Sequence, residues 1–153
     1  MSLDNVSNSA WIVPYNYLPE QFKNRKENLD EWEELARSCE FTLGPKIAEF
    51  EKNFATFVGA KFCIATNNGT DALILALKAL GIKSGDEVIT VPNSFYATTG
   101  AIVACGATPV FIDVDSRYQM DATLLEEAIT TKTRDILTVY WGGAAPDQRA
   151  IID

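Results

Sequence analysis

The stretch Asn67-Asn68-Gly69-Thr70-Asp71 joins a short apolar run, residues 62–66, to a strongly helical one, residues 72–80. A strand that breaks at Asn-Asn-Gly and continues as a helix leaves backbone N–H groups unpaired at the helix start. Together with the helix dipole, those donors make a site for an anion, most naturally a phosphate. Gly69 has no Cβ and allows close approach to the backbone, and Thr70 adds a hydroxyl donor.

The same residue types also have an ordinary structural use. Asn, Gly, Thr and Asp are common in helix caps and turns, and a cap needs no ligand. The local sequence therefore leaves two interpretations open, a capped strand–helix turn and an anion site, and slightly favours the cap. The rest of the chain has to decide between them.

Composition sets limits on the possible functions. The chain has 153 residues, 47% of them hydrophobic, which is enough for one domain with a core, and its net charge of −8 argues against a nucleic-acid-binding role. It has no apolar run long enough to cross a bilayer and no signal-peptide pattern, so we expect no membrane association. Three cysteines and no export signal indicate the cytoplasm. Histidine is absent, which excludes His-based triads and most His-containing metal sites.

The order of predicted elements indicates the fold class. Residues 1–26 contain Pro14 and Pro19, and we predict an extended arm that packs on a neighbouring subunit or on its own domain. The remainder, residues 27–153, is predicted as one domain. Its predicted helices cover residues 28–38, 45–58, 70–80, 94–105 and 121–130 and continue from 147, and its predicted strands cover residues 61–66, 87–91, 108–114 and 135–141.

Strands that alternate with helices in this way predict an α/β fold, with a mostly parallel sheet and helices on both faces. Ligands of such sheets bind outside the carboxyl ends of the strands. The informative loops are therefore residues 67–71, 92–97, 113–117 and 142–147. The first of them contains a single glycine and no lysine after it, which argues against a dinucleotide fingerprint and a Walker loop.

Six segments in order and spacing carry a resemblance to a known family. They are the arm at residues 13–15, residues 43–45 with the Phe-rich helix that follows, residues 68–73, 80–89 and 94–98, and the run Gly-Ala-Thr-Pro-Val-Phe-Ile-Asp-Val-Asp at 106–115. Together they resemble the DegT/DnrJ/StrS-type sugar aminotransferases, over residues 12–153. That resemblance implies part of the large domain of a pyridoxal-phosphate (PLP) enzyme of fold type I, and the homodimer that the family uses.

The resemblance also implies roles for individual residues. Gly69, Thr70 and the backbone amide of Asp71 would hold the phosphate of the PLP cofactor, with Asn68 in place of the family's serine. Phe95 matches the aromatic residue that stacks on the pyridine ring, and a core residue at a helix start is the alternative. The implied partners are glutamate, as amino donor, and a keto nucleotide-sugar.

Asn93 and Tyr96 are further candidates for lining the pocket. Residues 140–143, Tyr-Trp-Gly-Gly, depart from the family's His-Leu-Tyr-Gly. Asp147 matches a family aspartate, and we predict that it caps a helix.

The family's Schiff-base lysine and its ring-nitrogen aspartate have no match here. None of the lysines at positions 46, 52, 61, 78, 83 and 132 lies in a matching motif. We therefore expect a truncated large domain without the small domain, inactive as a transaminase on its own, and self-association through uncovered apolar surface. The alternatives are a non-catalytic binding or dimerisation module with the same fold and a fragment of a PLP-fold sugar dehydratase.

Overall fold

The computed structural model describes residues 17–152, which divide into two compact units at the 65/66 boundary. The first unit is helical, with α1 at Leu18–Gln21, α2 at Arg25–Ser38 and α3 at Pro45–Val58. None of the helices among the described residues is long and apolar enough to span a membrane.

The prediction of an extended arm over residues 1–26 is wrong for residues 17–26, the part that the structure describes. Residues 1–16 lie outside the described residues, but Leu18–Gln21 forms a helical turn and α2 already begins at Arg25. Pro19 stands in the first turn of α1, where its missing N–H breaks no helical hydrogen bond. The helix predicted from residue 28 therefore starts three residues earlier, after Asn24, which makes no side-chain cap bond.

Helix α3 has the predicted bounds. Pro45 lies in its first turn, and Gly59 ends it in the left-handed conformation at φ 71°. The rings of Phe50 and Phe54 stack with centroids 5.6 Å apart, as their four-residue spacing requires. Both rings remain more than 40% exposed.

The second unit contains a three-stranded parallel sheet. Its strands are β1 at Glu87–Thr90, β2 at Thr108–Phe111 and β3 at Thr133–Ile136, and the sheet order is β2-β1-β3. The helices are α4 at Gly69–Ala79, α5 at Tyr96–Ala104, α6 at Leu125–Ala128 and α7 at Gln148–Ile152. Short 3-10 turns at Ala122–Leu124 and Trp141–Gly143 complete the unit.

Helix α4 ends at a glycine in the left-handed conformation. After α4, the N–H of Gly81 donates to Lys78 O and the N–H of Ile82 donates to Leu77 O. Gly81 has a φ of 84°, which a residue with a Cβ rarely adopts. Ile82 and Leu77 pack in one buried cluster, which confirms the predicted helix stop and hydrophobic contact.

The sheet is covered on both faces, as predicted. On one face, α4 and α5 bury Leu77 and Ile102 against Val88 of β1. On the other, Ile89 packs with Met120 and with Leu125 of α6. Neighbouring residues Val88 and Ile89 point to opposite faces, as the strand pleat requires, and both are fully buried.

Four element predictions are corrected by the structure. Residues 61–66 form no strand, so the described sheet has three strands where four were predicted. Strand β2 ends at Phe111, three residues before its predicted end. Strand β3 covers Thr133–Ile136, where residues 135–141 were predicted. The predicted helix over 121–130 is a 3-10 turn followed by one turn of α-helix. A strand forms only beside a partner strand with which it exchanges hydrogen bonds, and a short apolar run does not show whether such a partner exists.

Candidate functional site

The carboxyl ends of the three strands define one edge of the second unit. β1 is the central strand; the chain passes first to β2 on one side and then to β3 on the other, so the strand order reverses at β1. Such a switch point is where open parallel sheets bind ligands. Helices α4 and α5 lead through short turns into the amino ends of β1 and β2, so both helices begin at the carboxyl edge.

The first predicted loop is a capped helix start. Asn68 has extended backbone angles, and its Oδ1 accepts a hydrogen bond from the N–H of Asp71 at 2.9 Å. Its Nδ2 donates to Asp71 Oδ2 at 3.2 Å, and its carbonyl oxygen accepts from the N–H of Ala72. The cap that the local sequence favoured is therefore present, and it uses the Asp71 amide.

The same loop keeps two donors for an anion. Within the described residues, the backbone N–H groups of Gly69 and Thr70 have no hydrogen-bond partner. A Cβ built on Gly69 would meet no atom within 4 Å, so the approach to these donors is open. Two free donors at the start of an eleven-residue helix, beside open space, fit a phosphate group.

Phe95 stands at the start of α5 on the same edge. It is the N-cap residue of that helix, and 64% of it is exposed, so it is not a core residue. Its ring lies 4.2 Å from the ring of Tyr96, with the two planes tilted by 50°. Ser94 Oγ and Thr98 Oγ1 share a hydrogen bond of 2.7 Å that closes the first turn. The exposed part of the Phe95 ring therefore offers an aromatic surface to a planar ligand.

Side-chain amides connect the three loops at this edge. Asn93, after β1, donates from Nδ2 to Tyr118 O at 3.2 Å. Gln119, after β2, donates from Nε2 to Trp141 O at 3.1 Å. Asn93 was a candidate from the sequence, whereas Gln119 was missed. No local signal marks Gln119, because it lies in a mostly polar stretch between Asp115 and Asp121 for which no element is predicted.

Asp115 organises the turn that carries Gln119. Its Oδ1 accepts from the backbone N–H groups of Arg117 and Gln119, and its Oδ2 accepts from the Arg117 side chain. The hydrogen bond from the Gln119 backbone, followed by that from the Arg117 side chain, lowers the pKa of the Asp115 carboxyl. Asp115 is therefore a turn former that stays ionised.

Among residues 66–152 of this unit, no lysine lies at the carboxyl edge. Lys78 lies in the last turn of α4, Lys83 in the turn before β1, and Lys132 directly before β3. All three are at the amino ends of the strands. The described part of the unit thus combines anion donors with an aromatic surface and has no amine beside them.

Asp147 has the predicted capping role, and Asp121 caps the 3-10 turn at Ala122–Leu124. Asp147 Oδ1 accepts from the N–H groups of Arg149 and Ala150, both at 3.2 Å, at the start of α7. Asp121 Oδ1 accepts from the N–H of Thr123 at 3.0 Å. Neither aspartate is needed to explain the site.

Comparison with known proteins shows that the chain is similar to sugar aminotransferases. The model of the DegT/DnrJ/EryC1/StrS aminotransferase family matches residues 23–153. The spore coat polysaccharide biosynthesis protein SpsC of Bacillus subtilis is 47% identical over 128 residues, covering 83% of this chain and 33% of that protein. The UDP-2-acetamido-2-deoxy-3-oxo-D-glucuronate aminotransferase of Pseudomonas aeruginosa is 42% identical over 142 residues, covering 92% of this chain and 40% of that protein.

A solved structure gives the same result. NtdA of Bacillus subtilis, with the cofactor PMP bound, superposes with a TM-score of 0.86 at 35% identity, covering 95% of this chain and 34% of that one. The chain thus spans between a third and two fifths of the length of these three proteins.

Proposed function

Because the chain belongs to the DegT/DnrJ/EryC1/StrS aminotransferase family, we propose that it forms the part of a PLP-dependent sugar aminotransferase that holds the cofactor phosphate and one face of the cofactor ring. The observation that carries this proposal is the pair of free N–H donors at Gly69 and Thr70 beside open space. NtdA, which has the same fold, binds PMP, the aminated form of PLP.

The residues of this chain act by binding and orientation. The α4 start would hold the phosphate through backbone donors and the Thr70 hydroxyl, and Phe95 would fix the plane of the ring. When bound, the cofactor supplies an electron sink for negative charge that develops at the amino-bearing carbon. The described carboxyl edge offers no lysine to move a proton, so we expect the α4 start and Phe95 to bind and orient the cofactor.

The proposed reaction of the whole enzyme is transfer of an amino group from glutamate to a keto nucleotide-sugar in the synthesis of a surface polysaccharide. The relatives that support it are a spore coat polysaccharide protein and an aminotransferase of a UDP-linked oxo-sugar. The proposed location is the cytoplasm, where nucleotide-sugars are made.

We further propose that the chain self-associates as a homo-oligomer. Each unit exposes large apolar side chains that a partner surface would bury. They include Phe50, Phe54, Phe57 and Phe62 in the first unit and Leu75, Leu80, Val103 and Tyr118 in the second. Light scattering after size exclusion should give a mass above 16.8 kDa that rises with concentration. A monomer at all concentrations would contradict this.

The direct test of cofactor binding uses pyridoxamine 5′-phosphate and pyridoxamine. Neither has an aldehyde, so neither reacts with surface lysines. The proposal expects saturable binding of the phosphorylated compound, measured by its own fluorescence, and at least about tenfold weaker binding of pyridoxamine, because only the former fills the α4 donors. Equal affinities would rule out the phosphate role of that loop.

A further inference from the structure

Two amide side chains, the buried Gln119 and the half-buried Asn93, hold the carboxyl-edge loops together. Gln119 is 1% exposed, and its Nε2 donates to Trp141 O at 3.1 Å and to Arg117 O at 3.3 Å. Asn93 Nδ2 donates to Tyr118 O at 3.2 Å. Gln119 joins the loop after β2 to the loop after β3, and Asn93 joins the loop after β1 to the loop after β2. We call this pair of side chains the amide clasp.

The neighbours fix the orientation of both amides. Each NH₂ group faces backbone carbonyl oxygens, which only accept hydrogen bonds. A flipped Gln119 would place Oε1 against the carbonyls of Arg117 and Trp141, and a flipped Asn93 would place Oδ1 against that of Tyr118. The N–H ends therefore point to the neighbouring loops.

The other ends of both amides are left without a partner. Asn93 Oδ1 and Gln119 Oε1 are buried and accept no hydrogen bond from the described residues. Burying an unpaired acceptor is unfavourable, and an apolar side chain of similar shape would avoid that cost. The contribution of these residues must therefore come from their donor ends, that is, from joining the loops.

The backbone beside the clasp is held in a strained conformation. Tyr118 has a φ of 62°, which is uncommon for a bulky residue. It is kept there by its N–H bond to Asp115 O at 2.9 Å and by the Asn93 bond to its carbonyl. Its neighbour Gln119 is anchored through its own N–H to Asp115 Oδ1 at 3.0 Å. The strain thus lies where the loops are joined.

We propose that Asn93 and Gln119 are positioning residues that set the loops around the candidate site. Asn93 lies two residues before Phe95, so its bond to Tyr118 fixes the backbone from which the Phe95 ring projects. Gln119 fixes the loop after β3 at Trp141. The proposal rests on the proposed function only in taking these loops to border the cofactor.

The test removes each amide from the full chain with a side chain of similar shape. Gln119→Met and Asn93→Leu delete the donors, and Gln148→Met is the matched control, since Gln148 Nε2 donates at 3.1 Å to Tyr140 Oη at the surface. Amide hydrogen exchange is read by NMR at Gly143 and Ala144, whose N–H groups bond to Tyr140 O and Trp141 O. The Leu137 N–H, bonded to Ile89 O, serves as the internal reference.

In Gln119→Met, exchange at Gly143 and Ala144 should be about five- to tenfold faster relative to Leu137, as expected for loss of one hydrogen bond in a local opening. Gln148→Met should leave that ratio unchanged. In Asn93→Leu, the Tyr118 N–H should respond in the same way. A purely global loss of stability would accelerate the loops and Leu137 alike, and that result, or an unchanged ratio, would overturn the proposal.

The two proposals fail in different ways. If wild type does not bind pyridoxamine 5′-phosphate but Gln119→Met changes the exchange ratio, the cofactor proposal fails and the clasp stands. If wild type binds the compound and the ratio does not change, the clasp fails and the cofactor proposal stands.

Discussion

Asn68 Oδ1 accepts a hydrogen bond from the backbone N–H of Asp71, at 2.9 Å, across the first turn of α4. This bond satisfies the third N–H of the helix and leaves those of Gly69 and Thr70 without a partner among the described residues. The cap and the two free donors therefore occur in the same turn, so the cap does not exclude the anion site that the local sequence also predicts. The cap orders the turn that presents the two donors.

Replacing Asn68 by Ala should lower the free energy of unfolding by about 1 kcal/mol, because the Asp71 N–H loses its acceptor. Asn68→Ser should retain most of the stability, since a serine hydroxyl caps the same position. Urea denaturation of both variants measures the difference. If Asn68→Ala matches wild type, the cap contributes nothing to the stability of α4.

The sequence predicts those elements whose determinants are local. The Phe spacing and Pro45 give the bounds of α3, and the Gly81–Ile82 pair gives the end of α4, because each signal lies within one turn of the chain. The strand predicted at 61–66 is wrong, because strand formation depends on a partner strand that is distant in the sequence and that the local pattern does not identify.

The candidate site also has a part that local motifs predict and a part that they do not. The α4 start and Phe95 are recognisable from motifs of a few residues. The amide clasp is not, because Gln119 and Trp141 are 22 positions apart and meet only through the sheet order. Contacts between loops that follow different strands depend on the order of the strands in the sheet. The local pattern predicts the fold class but not that order.

Replacing Phe95 by Ala should weaken binding of both pyridoxamine 5′-phosphate and pyridoxamine about three- to tenfold, because ring stacking is lost and the phosphate donors are untouched. Stability should change little, since Phe95 is 64% exposed. Fluorescence titration measures both affinities. Val103→Ala, at an exposed position of the same helix, is the control and should bind as wild type. A loss confined to the phosphorylated compound would contradict the stacking role.

Asp115 should titrate below the ordinary aspartate pKa of about 3.9. Because its folded-state pKa lies below its unfolded value, its contribution to stability is present above the unfolded pKa and is lost as the pH falls through the folded pKa. A ¹³C NMR titration of the carboxyl carbon measures the midpoint.

In Arg117→Met the Asp115 midpoint should rise only part of the way to the ordinary value, because the Gln119 backbone N–H is the larger cause of the lowered pKa. A wild-type midpoint at or above the ordinary value would show that the turn does not bond the carboxylate in solution.

The most direct test of the phosphate site compares Gly69→Ala with Gly100→Ala. Both glycines are helical and have open space where a Cβ would lie, so each change should leave stability equal or raise it by up to about 1 kcal/mol. Gly69→Ala places a methyl group beside the free donors and should weaken pyridoxamine 5′-phosphate binding at least about tenfold, whereas Gly100→Ala should bind as wild type. Equal, wild-type affinity in both variants would contradict the assignment of the α4 start as the phosphate site.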